Sequence, residues 1–342
     1  MILSLIISVP NYLGAQAKSL SDYKIITKFL SLKESASFNS VRKSPSDAYR
    51  LEREKNGFSI IDNNTGFKHI PNSPGKIRFS GWSKNEDHFL FSISFIPVGN
   101  GKFTGGVGVY FFNDKSTKIF RPEKYFLMNS RLSPDGKMIV ATGSTKKKGY
   151  IIVIDIESGK LTELTDVVSY RPAWSPNSDK VYYVETLDRR NAAIISVDLK
   201  SGDKIEIIKR PSYIDFAVSP DGKYIAFTSP KGGTGIRELN MINSDGTNLV
   251  NISSIGSWAN FFPRWSPDGR FIEYQYPLTK NHYGKAMSSD IYIYVLSTNL
   301  KINLTTEASG LYNFRGWKKD NSLIIRYDKD EKSIYRSYKL EE

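Results

Sequence analysis

The chain of 342 residues has no cysteine, only three histidines, and a minority of acidic residues. Without cysteine there is no disulfide, thiolate metal site, cysteine nucleophile or lipid attachment at cysteine. A three-histidine metal site would need His69, His88 and His282 together. The 35 Asp+Glu against 48 Lys+Arg leave a net charge of +13, which bears on partners and says nothing about fold. Apolar residues at 39% and charged residues at 24% exclude a chain that is disordered throughout. Aromatics are plentiful, with 20 Tyr and 19 Phe, and they favour strands over helices.

Long apolar runs are also missing. The longest candidate, Ile2 to Val9, is broken by Pro10 and Asn11 and is well short of the ~20 residues a membrane span needs. It precedes Ala15-Gln16-Ala17, a small-x-small pattern that reads as a signal-peptidase site, although no Lys or Arg precedes the run. Residues 1–17 are therefore expected to be a signal peptide and residues 18–342 a single domain. The mature chain is expected to be periplasmic or secreted, monomeric and without a membrane span.

One phrase recurs along the sequence. Leu132-Ser-Pro-Asp-Gly-Lys-Met-Ile, Val218-Ser-Pro-Asp-Gly-Lys-Tyr-Ile and Trp265-Ser-Pro-Asp-Gly-Arg-Phe-Ile are its clearest copies. Trp174-Ser-Pro-Asn-Ser is close, Trp82-Ser-Lys-Asn-Glu and Trp317-Lys-Lys-Asp-Asn are weaker, and Lys43-Ser-Pro-Ser-Asp is degenerate. In the clearest copies a strand ends, Pro and Gly set a tight turn, and a β-rich run begins. The anchors at 43, 82, 132, 174, 218, 265 and 317 lie 39 to 52 residues apart. Strand-like content at that period predicts an all-β propeller.

Between these phrases lies a second one, typified by Ile154-Asp155-Ile-Glu-Ser-Gly159 and Val197-Asp198-Leu-Lys-Ser-Gly202, which joins two more strands. Each repeat is thus a sheet of four strands, A to D from the axis outwards. Seven A–B turns but six C–D turns are present, because the chain ends after the third strand of the last repeat. Tyr23 to Leu30 is a spare strand-like run that would complete that sheet and cover its edge. Seven four-stranded blades are expected; if the repeat at Lys43 is not a blade, the ring has six.

Ser219 to Phe227, Ser133 to Ala141 and Ile154 to Thr165 resemble the TolB-type repeat, also called WD40-like or PD40. With the weaker copies, the resemblance covers roughly residues 35 to 342. It implies a propeller and no particular activity. The family's namesake carries an α/β domain before a six-bladed propeller and serves the Tol-Pal envelope system. Here too few residues separate Ala17 from the first repeat for such a domain. Related propellers accompany prolyl oligopeptidase-type peptidases, or hold a metal through several histidines in pectate-lyase-like enzymes.

No Gly-x-Ser-x-Gly or His-Glu-x-x-His pattern is present. Gly232-Gly233-Thr-Gly235 reads as a hairpin loop, not a phosphate cradle. Asp135, Asp221 and Asp268 read as turn residues. His69, His88 and His282 read as surface or strand residues on different edges of the ring, and Trp82, Trp174, Trp265 and Trp317 as packing between blades. Arg78, Arg131, Arg171, Arg264 and Arg315 each precede an anchor by one to four residues, where strand A enters near the channel mouth. Together they would attract an anion or carboxylate. Trp258 is a candidate aromatic anchor in a D–A loop, while Lys146 to Lys148 reads as a solvated hairpin tip.

No catalytic, metal or cofactor site is expected. The leading expectation is an exported propeller that binds a protein or another envelope component, possibly an acidic one. The alternative is a binder of, or enzyme for, a small acidic or sugar ligand at the channel mouth. The basic composition admits nucleic acid, but the export signal and the scatter of Lys argue against it.

Overall fold

The computed structural model describes residues 24–29, 44, 46–55, 57–97, 103–145, 148–165, 167–211, 214–230, 237–253, 260–280, 286–305, 312–329 and 332–341. These residues form 27 strands in seven antiparallel sheets. The first strand, β1 (Lys24–Phe29), belongs to the last sheet. Blade one follows with β2 (Tyr49–Glu54), β3 (Gly57–Asp62) and β4 (Lys68–His69). Blade two has β5 (Lys76–Trp82), β6 (His88–Pro97), β7 (Phe103–Phe111) and β8 (Thr117–Phe120). Blade three has β9 (Phe126–Leu132), β10 (Met138–Ser144), β11 (Gly149–Asp155) and β12 (Leu161–Glu163). Blade four has β13 (Ser169–Trp174), β14 (Lys180–Thr186), β15 (Asn191–Asp198) and β16 (Lys204–Pro211). Blade five has β17 (Asp215–Val218), β18 (Tyr224–Pro230), β19 (Arg237–Asn243) and β20 (Val250–Asn251). Blade six has β21 (Asn260–Trp265), β22 (Phe271–Lys280), β23 (Ala286–Val295) and β24 (Leu300–Asn303). Blade seven has β25 (Tyr312–Trp317), β26 (Leu323–Lys329) and β27 (Lys332–Glu341), with β1 on its outer edge.

Six sheets have four strands, and the first has three among the described residues, not the four expected. The inner strand that the repeat assigns to blade one falls at residues 30–43, outside the described residues. The degenerate repeat at Lys43 is nevertheless a blade. The residue four places after each anchor has positive φ in all seven repeats: Asp47, Glu86, Gly136, Ser178, Gly222, Gly269 and Asn321, between 57° and 78°. This is the left-handed turn position that Gly fills best. Ser44 also repeats the device of Ser133. Its hydroxyl accepts from the Tyr49 N–H at 3.1 Å, as that of Ser133 does from the Met138 N–H at 2.9 Å.

The core lies between the sheets. Leu90, Val107 and Val109 of blade two pack on Ile139, Ile152 and Ile154 of blade three. The alternate residues Val140, Ile151 and Val153 face Trp174, Val181 and Tyr183 of blade four. The middle strands are thus buried on both faces, which is why Met138 to Ala141 and Ile151 to Ile154 read as continuous apolar runs. Each such side chain contributes about 1.5–3 kcal/mol by leaving water. The anchor tryptophans stitch neighbouring blades together. Trp174 Nε1 donates to the Arg131 carbonyl at 3.1 Å, and Trp265 Nε1 to the Ala217 carbonyl at 3.0 Å.

Candidate functional site

Strands β5, β9, β13, β17 and β21 touch one another in sequence around the axis, so their side chains wall the channel. Five of the six described inner strands have a pairing irregularity two to four residues before the anchor; β17 alone is regular. An extra residue at such a place bends the strand and re-aims its side chains. Arg171, with φ of 57°, and Arg315 sit within these irregularities, and Arg131 and Arg264 directly follow them. Arg78 precedes the one in β5. All five arginines lie on inner strands.

They are not electrically equivalent. Arg171 pairs across the blade boundary with Asp215, at the start of β17. The other oxygen of Asp215 accepts from Arg237 Nη2 at 3.0 Å, and the same nitrogen donates to Thr228 Oγ1 at 3.0 Å. Asp215 is 3% exposed, and burial raises its pKa against the pull of Arg171 and Arg237. Burial also lowers the pKa of Arg237, against the pull of Asp215. Two cations share this one carboxylate. Arg264 Nη1 donates to Glu273 Oε2 at 3.3 Å. Arg78, Arg131 and Arg315 are exposed, and their side chains have no ion pair with a described residue. Asp215, Arg237 and Glu273 carry no repeat signature, and sequence reasoning missed them.

Glu273 is fully buried between blades six and seven, and its Oε1 has no partner among the described residues. Burial, opposed by the charge and hydrogen bond of Arg264, pushes its carboxyl up to about 7. In the unfolded chain the group titrates at about 4.3. Between those values the folded protein holds a proton that the unfolded chain has released, so stability falls as pH rises through the window and levels off above it. The loss is at most about 4 kcal/mol, at roughly 1.4 kcal/mol per pH step of one. Glu273→Gln, neutral at every pH, is expected to flatten the dependence of melting temperature on pH between roughly 5 and 7. An unchanged slope in calorimetry of the variant would assign it to another group.

The remaining candidates have structural duties. Asp135 and Asp268 accept from the hydroxyls of Ser133 and Ser266 at 2.5 and 2.7 Å, inside their own turns. Asp221 accepts from Ser219 at 2.6 Å in the same way. His69 and His88 prove to be buried, not surface residues. His69 Nδ1 meets Tyr110 Oη at 3.0 Å, and His88 Nε2 meets the Gly136 carbonyl at 3.0 Å, each bridging to the next blade. Burial lowers the pKa of His69. No group of three potential metal-ligating side chains occurs among the described residues. Trp258, His282, Lys146 and Lys147 lie outside the described residues. A groove of about 340 Å³ between Lys118–Pro122 and Gly159 lies on the outer rim, away from the channel.

The model of the TolB beta propeller domain, PD40, matches residues 112–291, more than half of the chain. The chain belongs to this family. Among solved structures, this TolB-type propeller resembles the β-propeller domain of the Trilobed protease from Pyrococcus furiosus, at 14% identity and a TM-score of 0.57, over 76% of this chain and 82% of that one. An oligogalacturonate lyase in complex with manganese gives 14% identity and a TM-score of 0.54, over 89% and 98%. TolB from Acinetobacter baumannii gives 15% identity and a TM-score of 0.49 over 79% of this chain, which spans 63% of that protein's length. No curated protein sequence matches the chain. At these identities the likeness is one of fold. Relatives of this fold include enzymes, and the fold alone does not decide whether this propeller is catalytic.

Proposed function

We propose that this TolB-like propeller is a non-catalytic, exported scaffold that binds a protein or another envelope component, through an acidic group, at the mouth of its channel. The observation that carries the reading is the charge on the inner strands. Arg78, Arg131 and Arg315 are exposed and have no counter-ion among the described residues. Arginines gathered around a partly shielded channel act on an anion more strongly than the same charges spread over an open surface. The non-catalytic part of the reading is supported by the duties of Asp135, Asp221, Asp268, His69 and His88, which are spent on turns and blade contacts. Seven sheets around an axis also offer a broad surface for a macromolecule.

Affinity purification from an envelope extract tests the reading. Wild type is expected to retain a defined component that Arg78→Glu with Arg315→Glu releases. Lys160→Glu with Lys200→Glu, in exposed turns between the third and fourth strands of blades three and four, on the outer edge, should retain it. Equal loss in both double variants would assign the retention to general positive charge and overturn the reading. Retention of only a small acidic or sugar ligand would favour the alternative.

A further inference from the structure

Seven repeats on one backbone plan allow each blade to serve as a control for the others. Arg131 and Arg264 occupy the same repeat position, directly before the anchors Leu132 and Trp265 and directly after a bulge. They differ in the residue that faces them on the second strand of the blade. Arg264 faces Glu273, whose Oε2 accepts from its guanidinium. Arg131 faces Val140, which is fully buried and offers a cation nothing. The same position holds Gly81, Ala173, Ala217 and Gly316 in the other described inner strands, so among the described inner strands only these two place a cation there, and the sequence puts Arg42 at that position before Lys43.

The surroundings of Arg131 deepen the contrast. Its carbonyl is pinned by Trp174 Nε1, which holds this stretch of strand against blade four. Its side chain touches solvent, yet protein crowds it enough that lost hydration lowers its pKa. Both hold at a channel wall, where the open side is the channel itself. The inner strand of the next blade carries Arg171, which is paired with Asp215, and that of the preceding blade carries Arg78. A partly desolvated guanidinium with no counter-ion is unfavourable until an anion arrives. Met128, two ladder positions from Arg131 on the same strand, remains 38% exposed and leaves apolar surface near the cation, whereas the Phe126 ring lies against Gly105 of blade two.

We propose that Arg131 anchors a carboxylate-binding site in the channel wall, where the ligand takes the partner position that Glu273 holds beside Arg264. The planar fork of one guanidinium suits a carboxylate, which it can hold through two parallel hydrogen bonds. Met128 selects a carboxylate carried on an apolar stem, such as a peptide end or an acidic side chain next to an apolar residue. The inference specifies the acidic group required by the reading of the channel mouth as the binding face, and it rests on that reading.

Titration calorimetry with three peptides on the full chain tests it: acetyl-alanyl-phenylalanine as the free acid, the same peptide as its amide, and an amidated acetyl-phenylalanyl-aspartyl-alanine. At least one carboxylate peptide is expected to bind, the uncharged amide about tenfold more weakly or not at all. Arg131→Gln should weaken the carboxylate peptide about tenfold with the melting temperature little changed. Val140→Glu copies blade six and should abolish binding by giving Arg131 an internal partner. If Val140→Glu does not fold, Arg131→Gln carries the test alone. Preference for the free acid assigns a chain terminus, and preference for the aspartyl peptide a side chain. Equal binding of acid and amide, equal binding by Arg131→Gln, or no binding of either carboxylate peptide overturns the site. Loss of the purified partner with intact peptide binding would instead count against the scaffold reading.

Discussion

Removing residues up to Phe29 is expected to lower the melting temperature by roughly 6–12 °C and to make the protein self-associate. Strand β1 pairs with β27 in continuous register from Lys24↔Glu341 to Phe29↔Arg336. A six-residue antiparallel edge contributes about half a dozen backbone hydrogen bonds, each worth ~0.5–1.5 kcal/mol net, so the loss is at least about 3 kcal/mol. The second consequence is kinetic as well as thermodynamic. Without β1, β27 becomes a ten-residue edge strand with unpaired N–H and C=O groups, a template for another chain. The closure also joins the beginning of the described chain to its end, so fraying at either terminus opens the same sheet. Differential scanning calorimetry and sedimentation velocity report the two effects separately. A truncated protein that stays monomeric with an unchanged melting temperature would show that β1 contributes nothing to closure.

Asp215→Ala is expected to cost about 3–5 kcal/mol, or on the order of 10 °C in melting temperature. The carboxylate holds Arg171 from blade four and Arg237 from its own blade. Deleting it leaves two guanidinium groups facing each other, with the Arg237 side chain only 15% exposed and unable to regain full hydration. The physical origin of the loss is the uncompensated buried cation, more than the lost attraction. The double variant Asp215→Leu with Arg237→Leu removes the anion and the buried cation together, and should recover a large part of the loss. Urea denaturation of the three proteins checks this. A single variant within about 0.5 kcal/mol of wild type would mean that the cluster is solvated and that its charges are free to act elsewhere.

The same cluster shows how sequence and structure divide the evidence. Turn chemistry is local, and it was legible. Ser-Pro-Asp-Gly and its degenerate copies mark seven left-handed turn positions, from Asp47 to Asn321, because only a few residue types tolerate that backbone without help. Strand counting was legible for a related reason. A propeller blade needs a covered edge, and once Tyr312 to Leu340 had used the end of the chain, Tyr23 to Leu30 was the run left to cover it. The observed β25, β26, β27 and β1 fall on those segments. The recurrent tryptophans could be read as packing residues because they repeat at one position, and Trp174 and Trp265 reach the preceding blade as that position requires.

Charge pairing at the channel could not be read in this way. Arg171 and Asp215 lie 44 residues apart and meet because two inner strands are neighbours around the axis. Arg237 joins them from a third strand of a different repeat position. Glu273 lies in a B strand whose counterparts are apolar, and nothing about Phe-Ile-Glu-Tyr announces that this carboxyl is buried or that Arg264 faces it. The sequence by itself determined the repeat, the number of turns, the blade plan and the strand that completes the last sheet, because these follow from backbone conformation and edge pairing within short stretches of chain. Tertiary structure alone decided which of the five arginines are neutralised and which are not. Counter-ions are set by contacts across strands and between blades, and burial there changes both the cost of a charge and the partner it requires.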